Sequence, residues 1–314
     1  MTRNKGNAVN GPFSATCCGG NMKLQGIMPP ITTPFQGTEV AYDKLRENFQ
    51  RWNKTDLSGY LVLGSNGEAV YLSEAEKIKI IEVSRQAIPK DKIMLVGTGM
   101  EATIETIRFT NQAADLGADL ALVVTPCYFK GSMTQQILYD HFIAVAEVSR
   151  IPILLYNVPQ FTGVNMEPAL VAKLSRHPNI VGLKDSSGNI DQLAQIIHQS
   201  EKDFGVFVGS APVLFPALCV GAVGGILAVA NLLPEWCTRI VDLYTQGQRD
   251  QARDLQNRLT PIAKAVTVTY GISGLKAAMD LIGYFGGDPR LPLKKSGPEV
   301  QAILKDLIAD LKLS

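Results

Sequence analysis

Eight short apolar runs recur along this chain, and the segments between them carry helical periodicity. The runs fall at 26–33, 59–63, 92–96, 120–125, 151–156, 180–184, 206–208 and 223–229. Their spacing of roughly 20–35 residues is that of one βα unit. Most are continuous rather than alternating, as parallel strands covered on both faces require. Helices are predicted at 42–54, 74–88, 104–116, 135–147, 167–175 and 191–199, with Ser73 and Glu76 forming a capping box for the second. Eight such units favour an α/β fold of the closed (β/α)8 TIM-barrel type. The competing open, doubly wound sheet would carry a G-x-G-x-x-G fingerprint after its first strand, and none is there.

Length alone would suggest two domains for 314 residues. The strand–helix rhythm divides the chain differently, into a barrel over 22–232 and a helical extension over 233–314 packed on it. In the extension 235–246, 248–268, 273–282 and 298–312 read as helices, with Pro261 placed to kink or split the second. Residues 1–21 are rich in Asn, Gly, Ser and Thr and read as a flexible leader or a cloning remnant; they lack the apolar core of a secretion signal. Cys17 and Cys18 within them read as inert, because adjacent cysteines pair poorly and no CxxC spacing follows. Five cysteines are too few for a disulfide scaffold, and a cytoplasmic protein is expected.

The stretch 211–234 carries no charge and is long enough to cross a bilayer. Pro212, Pro216, Gly221, Gly224, Gly225 and Asn231 oppose one continuous helix there, so it reads as a buried helix over 213–220 and a buried strand over 223–229, with no membrane span. Thirty Lys and Arg against 29 Asp and Glu give a net charge of +1, which offers no basic surface for nucleic acid.

In a barrel, catalytic side chains sit at the carboxyl ends of the strands. Lys184 is the unusual residue there. Period-two alternation places Ile180, Gly182 and Lys184 on one face, so the lysine points inward beside an apolar wall. Apolar burial disfavours an ammonium and favours a free amine that attacks carbonyls; the alternative is a strand-end lysine reaching solvent. Tyr156 ends the neighbouring strand and could pass protons to and from a group on that amine, or be a core tyrosine with a satisfied hydroxyl. Ser65-Asn66-Gly67 offers a hydroxyl, an amide and consecutive backbone N–H groups suited to a carboxylate, or forms an ordinary βα turn. Cys127 reads as structural for want of a histidine partner, and Glu68 as a hydrogen-bonding residue of its turn rather than a general base. His141, His177 and His198 lie away from the strand ends, and no cluster has metal-ligand spacing.

Taken together, the motifs G-S-N-G-E, V-V-T-P-C-Y, Y-N-V-P-x-x-T-G and G-L-K-D-S resemble those of the dihydrodipicolinate synthase/N-acetylneuraminate lyase family, in family order from about residue 23 onward. The resemblance implies class I pyruvate aldolases on a (β/α)8 barrel, usually homotetrameric dimers of dimers, working through a lysine Schiff base without a metal. It implies that Lys184 forms an imine with pyruvate or another 2-oxo acid and that Tyr156 is the general acid and base. Ser65 would assist proton relay and, with Asn66, hold the pyruvate carboxylate. Tyr128 matches a tyrosine lent across a subunit interface, and backbone around Gly225 and Ile226 would complete the pocket.

Substrate choice departs from the best-known relatives. Phe161 stands where dihydrodipicolinate synthases carry an arginine for the aldehyde's carboxylate, and Gly209-Ser210-Ala211-Pro212 lacks the acids that neuraminate lyases use for sugar hydroxyls. The stretches T-P-C-Y, H-P-N-I-V-G, G-S-A and G-A-V-G-G look most like 4-hydroxy-2-oxoglutarate aldolases, where Ser186 would also line the site. Reversible cleavage of 4-hydroxy-2-oxoglutarate to pyruvate and glyoxylate is therefore expected. Lys130 is the candidate cation for that substrate's second carboxylate, against the alternative of a solvated loop lysine. Two other readings stand: a dihydrodipicolinate synthase with a rearranged carboxylate clamp, and a catalytically silent barrel used for binding or assembly. Retention of Lys184, Tyr156 and the Ser65-Asn66 turn argues against the last.

Overall fold

The computed structural model describes residues 15–17, 20–22 and 24–312. The expected leader over 1–21 and the side chains of Cys17 and Cys18 fall largely outside them; of that stretch, the backbone of Ala15–Cys17 pairs antiparallel with Gly20–Met22.

All eight predicted strands form, and they make one parallel sheet. They are β1 (Gly26–Met28), β2 (Gly59–Val62), β3 (Ile93–Gly97), β4 (Leu120–Val124), β5 (Ile153–Asn157), β6 (Ile180–Asp185), β7 (Gly205–Val208) and β8 (Gly224–Ile226). Neighbours follow chain order from β2 to β8, and β8 pairs with β1. A parallel bridge between Pro30 and Leu61, with Leu61 N–H donating to the Pro29 carbonyl at 2.9 Å, joins β1 to β2 and closes the ring. The first strand is shorter than the apolar run suggested, because Pro29 and Pro30 have no N–H to give a ladder.

Side chains alternate between two cores. On β4, Leu120 and Leu122 face the barrel interior with Met28, Leu61, Leu95, Leu154, Phe207 and Ile226, while Ala121 and Val123 face the helices. The strand β6 corrects the expected alternation: its register with β5 shifts between Ile180 and Gly182, so Ile180 packs outward with the helices. The bulge resets the phase, because one extra residue in a strand inverts every side chain beyond it. Gly182 and Lys184 then stand level with Leu154 and Tyr156.

The surrounding helices are α1 (Tyr42–Trp52), α2 (Glu74–Ala87), α3 (Thr103–Asp115), α4 (Gln135–Val148), α5 (Pro168–Leu174), α6 (Ile190–Gln199), α7 (Leu214–Cys219) and α8 (Pro234–Thr245). The capping box of Ser73 and Glu76 is present on α2. Three further helices complete the extension: α9 (Arg249–Lys264), α10 (Gly271–Leu281) and α11 (Pro298–Lys312). Pro261 lies inside α9 without splitting it, and the irregularity follows as a π turn at Ala265–Thr269. Helix α10 docks on the C-terminal mouth of the barrel, where Thr32 Oγ1 donates to the Met279 sulfur at 3.5 Å. The uncharged stretch 211–234 is α7, β8 and two short 3-10 turns, and no helix of the described residues is long and apolar enough to cross a membrane.

His141 on α4 is buried, with Nδ1 2.9 Å from Thr103 Oγ1. Burial pushes its pKa down to about 4, against a smaller upward pull from Glu101. Well above pH 6.5 the ring is neutral whether the chain is folded or not. As the pH falls from about 6.5 toward 4, only the unfolded chain takes the proton, so up to about 3 kcal/mol of stability is lost. His141→Gln should therefore lose less melting temperature than wild type between pH 7 and pH 4.5. Parallel losses would remove His141 from this account.

Candidate active site

Lys184 lies on β6 inside the barrel mouth and is 3% exposed. Parallel register sets it between Tyr156 of β5 and Phe207 of β7. Below it, Gly182 leaves no room for a side chain, since a Cβ there would strike the Gly205 carbonyl. Its Nζ stands 4.3 Å from the centroid of the Tyr156 ring, and no carboxylate of the described residues forms an ion pair with it. This is the inward amine expected from the sequence, reached through the bulge rather than through unbroken alternation.

Tyr156 is buried on the interior face, and its hydroxyl is 3.5 Å from Ser65 Oγ. Lysine, tyrosine and serine thus converge on one point. Ser65–Gly67 is a single 3-10 turn after β2, with Ser65 and Asn66 half-buried. Thr33 Oγ1 donates to the Gly67 carbonyl at 2.7 Å and fixes the turn from the segment that follows β1. Opposite, Ile226 joins the same interior cluster as Tyr156, with Gly225 beside it on β8.

Several groups that hold this arrangement escaped the sequence reading. Asp185 follows Lys184 and is buried; it accepts from Asn157 Nδ2 at 2.8 Å and from the Ser187 N–H at 2.9 Å. Asn157 also donates to Asn165 Oδ1 and accepts from the Met166 N–H, both at 3.0 Å, tying the ends of β5 and β6 together. Ser186 is buried, and a Cβ on Gly209 would collide with its hydroxyl and lie 3.1 Å from Lys184 Cε. Only glycine at 209 leaves room for both side chains. Asp185 and Asn157 lie inside the G-L-K-D-S and Y-N-V-P motifs, but nothing in the sequence separates their supporting role from the chemistry beside them.

The outer residues divide into two groups. Glu101 accepts from the Cys127 N–H at 3.0 Å, the Tyr128 N–H at 2.8 Å and the Cys127 thiol at 3.3 Å. Burial and Glu101 push the Cys127 thiol up, as befits a structural cysteine. The loop so held presents Tyr128 at 79% exposure, edge-on to an exposed Phe129. Lys130 is exposed, and its stem lies over Gly163, whose Cβ would be 3.2 Å from Lys130 Cδ. Phe161, in the helical turn Pro159–Thr162 that ends at Gly163, is 69% exposed. The structure therefore brings Lys184, Tyr156, Ser65 and Ser186 inward and leaves Tyr128, Lys130 and Phe161 at the surface. Glu68 is a structural hydrogen-bonding residue, but its carboxylate bonds to the C-terminal extension, at Lys276 and the Arg290 N–H, rather than within its own turn. Among the described residues no group of three or more His, Cys, Asp or Glu side chains could hold a metal ion.

Comparison with known proteins covers nearly the whole molecule. Residues 23–311 match the dihydrodipicolinate synthetase family. The 4-hydroxy-tetrahydrodipicolinate synthase of Methanosphaerula palustris is 38% identical over 290 residues, covering 91% of this chain and 99% of the relative. That of Methanothrix thermoacetophila is 37% identical over 290 residues, covering 92% and 97%. The crystal structure of dihydrodipicolinate synthase from Thermotoga maritima superposes with a TM-score of 0.88 at 30% identity, covering 92% of this chain and 99% of that one. With the barrel, the four motifs and these relatives in agreement, the chain belongs to the dihydrodipicolinate synthetase family and is an enzyme of its class I aldolase and lyase type.

Proposed function

We propose that this enzyme is a pyruvate-linked Schiff-base aldolase that reversibly cleaves 4-hydroxy-2-oxoglutarate to pyruvate and glyoxylate. Lys184 Nζ attacks the C2 ketone, and the Tyr156 hydroxyl protonates the departing carbinolamine oxygen, which leaves as water. Ser65 and Asn66, with backbone at Gly225 and Ile226, hold the C1 carboxylate. Tyr156, relayed through Ser65, takes the proton of the C4 hydroxyl. The C3–C4 bond breaks, and its electron pair moves into the iminium to give an enamine. Protonation at C3 and hydrolysis release pyruvate and restore the lysine. The iminium nitrogen is the electron sink, so the reaction as written requires neither metal nor organic cofactor.

Phe161 carries the choice of substrate. Aspartate semialdehyde places its carboxylate far from the reacting carbon, and an apolar ring at 161 offers that carboxylate no donor. Glyoxylate bears its carboxylate directly on the reacting carbon, close to Lys184, where the buried Ser186 hydroxyl is the nearer donor. For that second carboxylate the cation we assign is Lys130, whose stem lies over Gly163, two residues past Phe161. The second reading is 4-hydroxy-tetrahydrodipicolinate synthase, and the names of the relatives speak for it. We further propose that the enzyme is cytoplasmic and acts as a homotetramer in which the exposed Tyr128 reaches a neighbouring copy.

The two readings separate on the acceptor. With pyruvate fixed, kcat/KM for glyoxylate should exceed that for aspartate semialdehyde by about 100-fold. Phe161→Arg should raise the aspartate semialdehyde value by roughly 10- to 100-fold, the worth of a charged hydrogen-bonded pair. The reverse preference in wild type would establish the synthase reading instead.

A further inference from the structure

Two non-glycine residues among those described have positive φ, and they bracket the Ser65-Asn66-Gly67 turn: Leu63 at 58° and Glu68 at 54°. Both side chains are buried. Left-handed backbone is unfavourable for residues with a Cβ and persists where surrounding structure over-determines it. At Glu68 that structure is visible. Its N–H donates to the Ser65 carbonyl at 3.0 Å, closing the turn, and its own carbonyl accepts from the Tyr71 N–H at 2.9 Å. Its carboxylate leaves the turn entirely and reaches the C-terminal extension. There it pairs with Lys276 Nζ on α10 at 2.5 Å and accepts from the Arg290 N–H at 2.8 Å.

The pair is sealed from water, with side-chain exposures of 1% and 0%. Lys276 Nζ also donates to the Asp288 carbonyl at 3.0 Å and sits 4.5 Å from the centroid of the Phe35 ring. The Arg290 guanidinium stacks on the same ring and binds the Glu76 carboxylate at 2.7 and 2.9 Å. A charge pair this deeply buried is a poor way to dock one helix, since apolar side chains of similar size would serve as well. What it offers is direction: a fixed carboxylate holding one strained residue.

We infer that the Glu68–Lys276 pair, with the Arg290 N–H, is a clamp through which the C-terminal extension holds the Ser65-Asn66-Gly67 turn in the shape that receives the substrate carboxylate. Glu68 and Lys276 are then positioning residues for the reaction, and the extension is a working part of the site. This rests on the reading that the turn binds the carboxylate of a 2-oxo acid attached to Lys184. Without the clamp, Glu68 relaxes from its left-handed conformation, the peptide ahead of it rotates, and Ser65 Oγ leaves the Tyr156 hydroxyl.

The test uses the full-length enzyme with pyruvate, trapped by borohydride, alongside steady-state kinetics. Wild type is measured first, and absence of a pyruvate adduct would remove the functional reading and the clamp together. With the adduct present, Glu68→Gln should raise the KM for pyruvate by about tenfold or more and slow trapping equally, leaving the KM for the aldehyde within about twofold. Lys276→Met should do the same, and both single variants should lower the melting temperature, because each strands the other's buried charge. The double variant E68Q/K276M should recover melting temperature but not the pyruvate KM. Asp119→Asn, which breaks the Arg85–Asp119 pair elsewhere on the barrel, serves as a control that lowers stability with an unchanged pyruvate KM. A pyruvate KM within twofold of wild type in E68Q, or restored in the double variant, would reduce the pair to scaffolding. Should E68Q fail to fold, Glu68→Asp, which keeps the charge but shortens its reach, is judged by the same two measurements.

Discussion

Replacing Lys184 by methionine is expected to lower kcat for aldol cleavage by at least roughly 10^4-fold while leaving the melting temperature equal or higher. The two effects have one cause. Lys184 is 3% exposed between Tyr156 and Phe207, without a carboxylate in ion-pair contact among the described residues. Such a polar group is a cost to the fold, and methionine fills the same volume without it. The cost is tolerated where the amine is used, a common pattern in active sites. Lys184→Arg separates charge from chemistry. It supplies a permanent cation of similar length, but a guanidinium does not lose its proton in a protein and forms no imine, so arginine should be as inactive as methionine. Turnover assays and calorimetry on both variants decide the matter. More than about 1% of wild-type activity in either would make Lys184 a bystander.

Tyr156→Phe should be the next most damaging change, lowering kcat by about 10^2- to 10^4-fold, the usual worth of a positioned acid–base group. The ring remains beside Lys184 and the interior cluster is refilled, so stability should hardly change. Only the hydroxyl is lost, and with it the contact to Ser65 Oγ. The pyruvate adduct should still form, more slowly, because the lysine is intact and water can deliver the proton. This sets Tyr156 apart from Lys184, whose loss removes the adduct altogether. A kcat within tenfold of wild type would return Tyr156 to the alternative of a core tyrosine with a satisfied hydroxyl.

The barrel and the core of the site were legible because both rest on local patterns. Continuous apolar runs at βα spacing specify parallel strands, and a polar residue that ends such a run must stand at the mouth. The places of Lys184, Tyr156 and the Ser65 turn at the mouth followed from that pattern, while their roles came only from the family resemblance. The bulge in β6 was not legible: Ile180, Val181 and Gly182 alternate in sequence as any strand does, and the register shift is set by pairing with β5. The hold of Glu101 on the Tyr128 loop and of Lys276 on Glu68 were hidden for a different reason. Each joins segments far apart in the chain, and a lysine in the middle of a helix gives no local sign that it is buried against a carboxylate. Phe161 was legible only as a departure from a family pattern, and the comparisons supplied relatives whose name favours the other acceptor.

Every role proposed here for the site depends on a covalent bond between Lys184 and pyruvate. Incubating the enzyme with pyruvate, reducing with borohydride and mapping the modified peptide by mass spectrometry tests it directly. One adduct is expected, on Lys184, formed in wild type and missing from Lys184→Arg. An unmodified Lys184, or an adduct on another lysine, would contradict it.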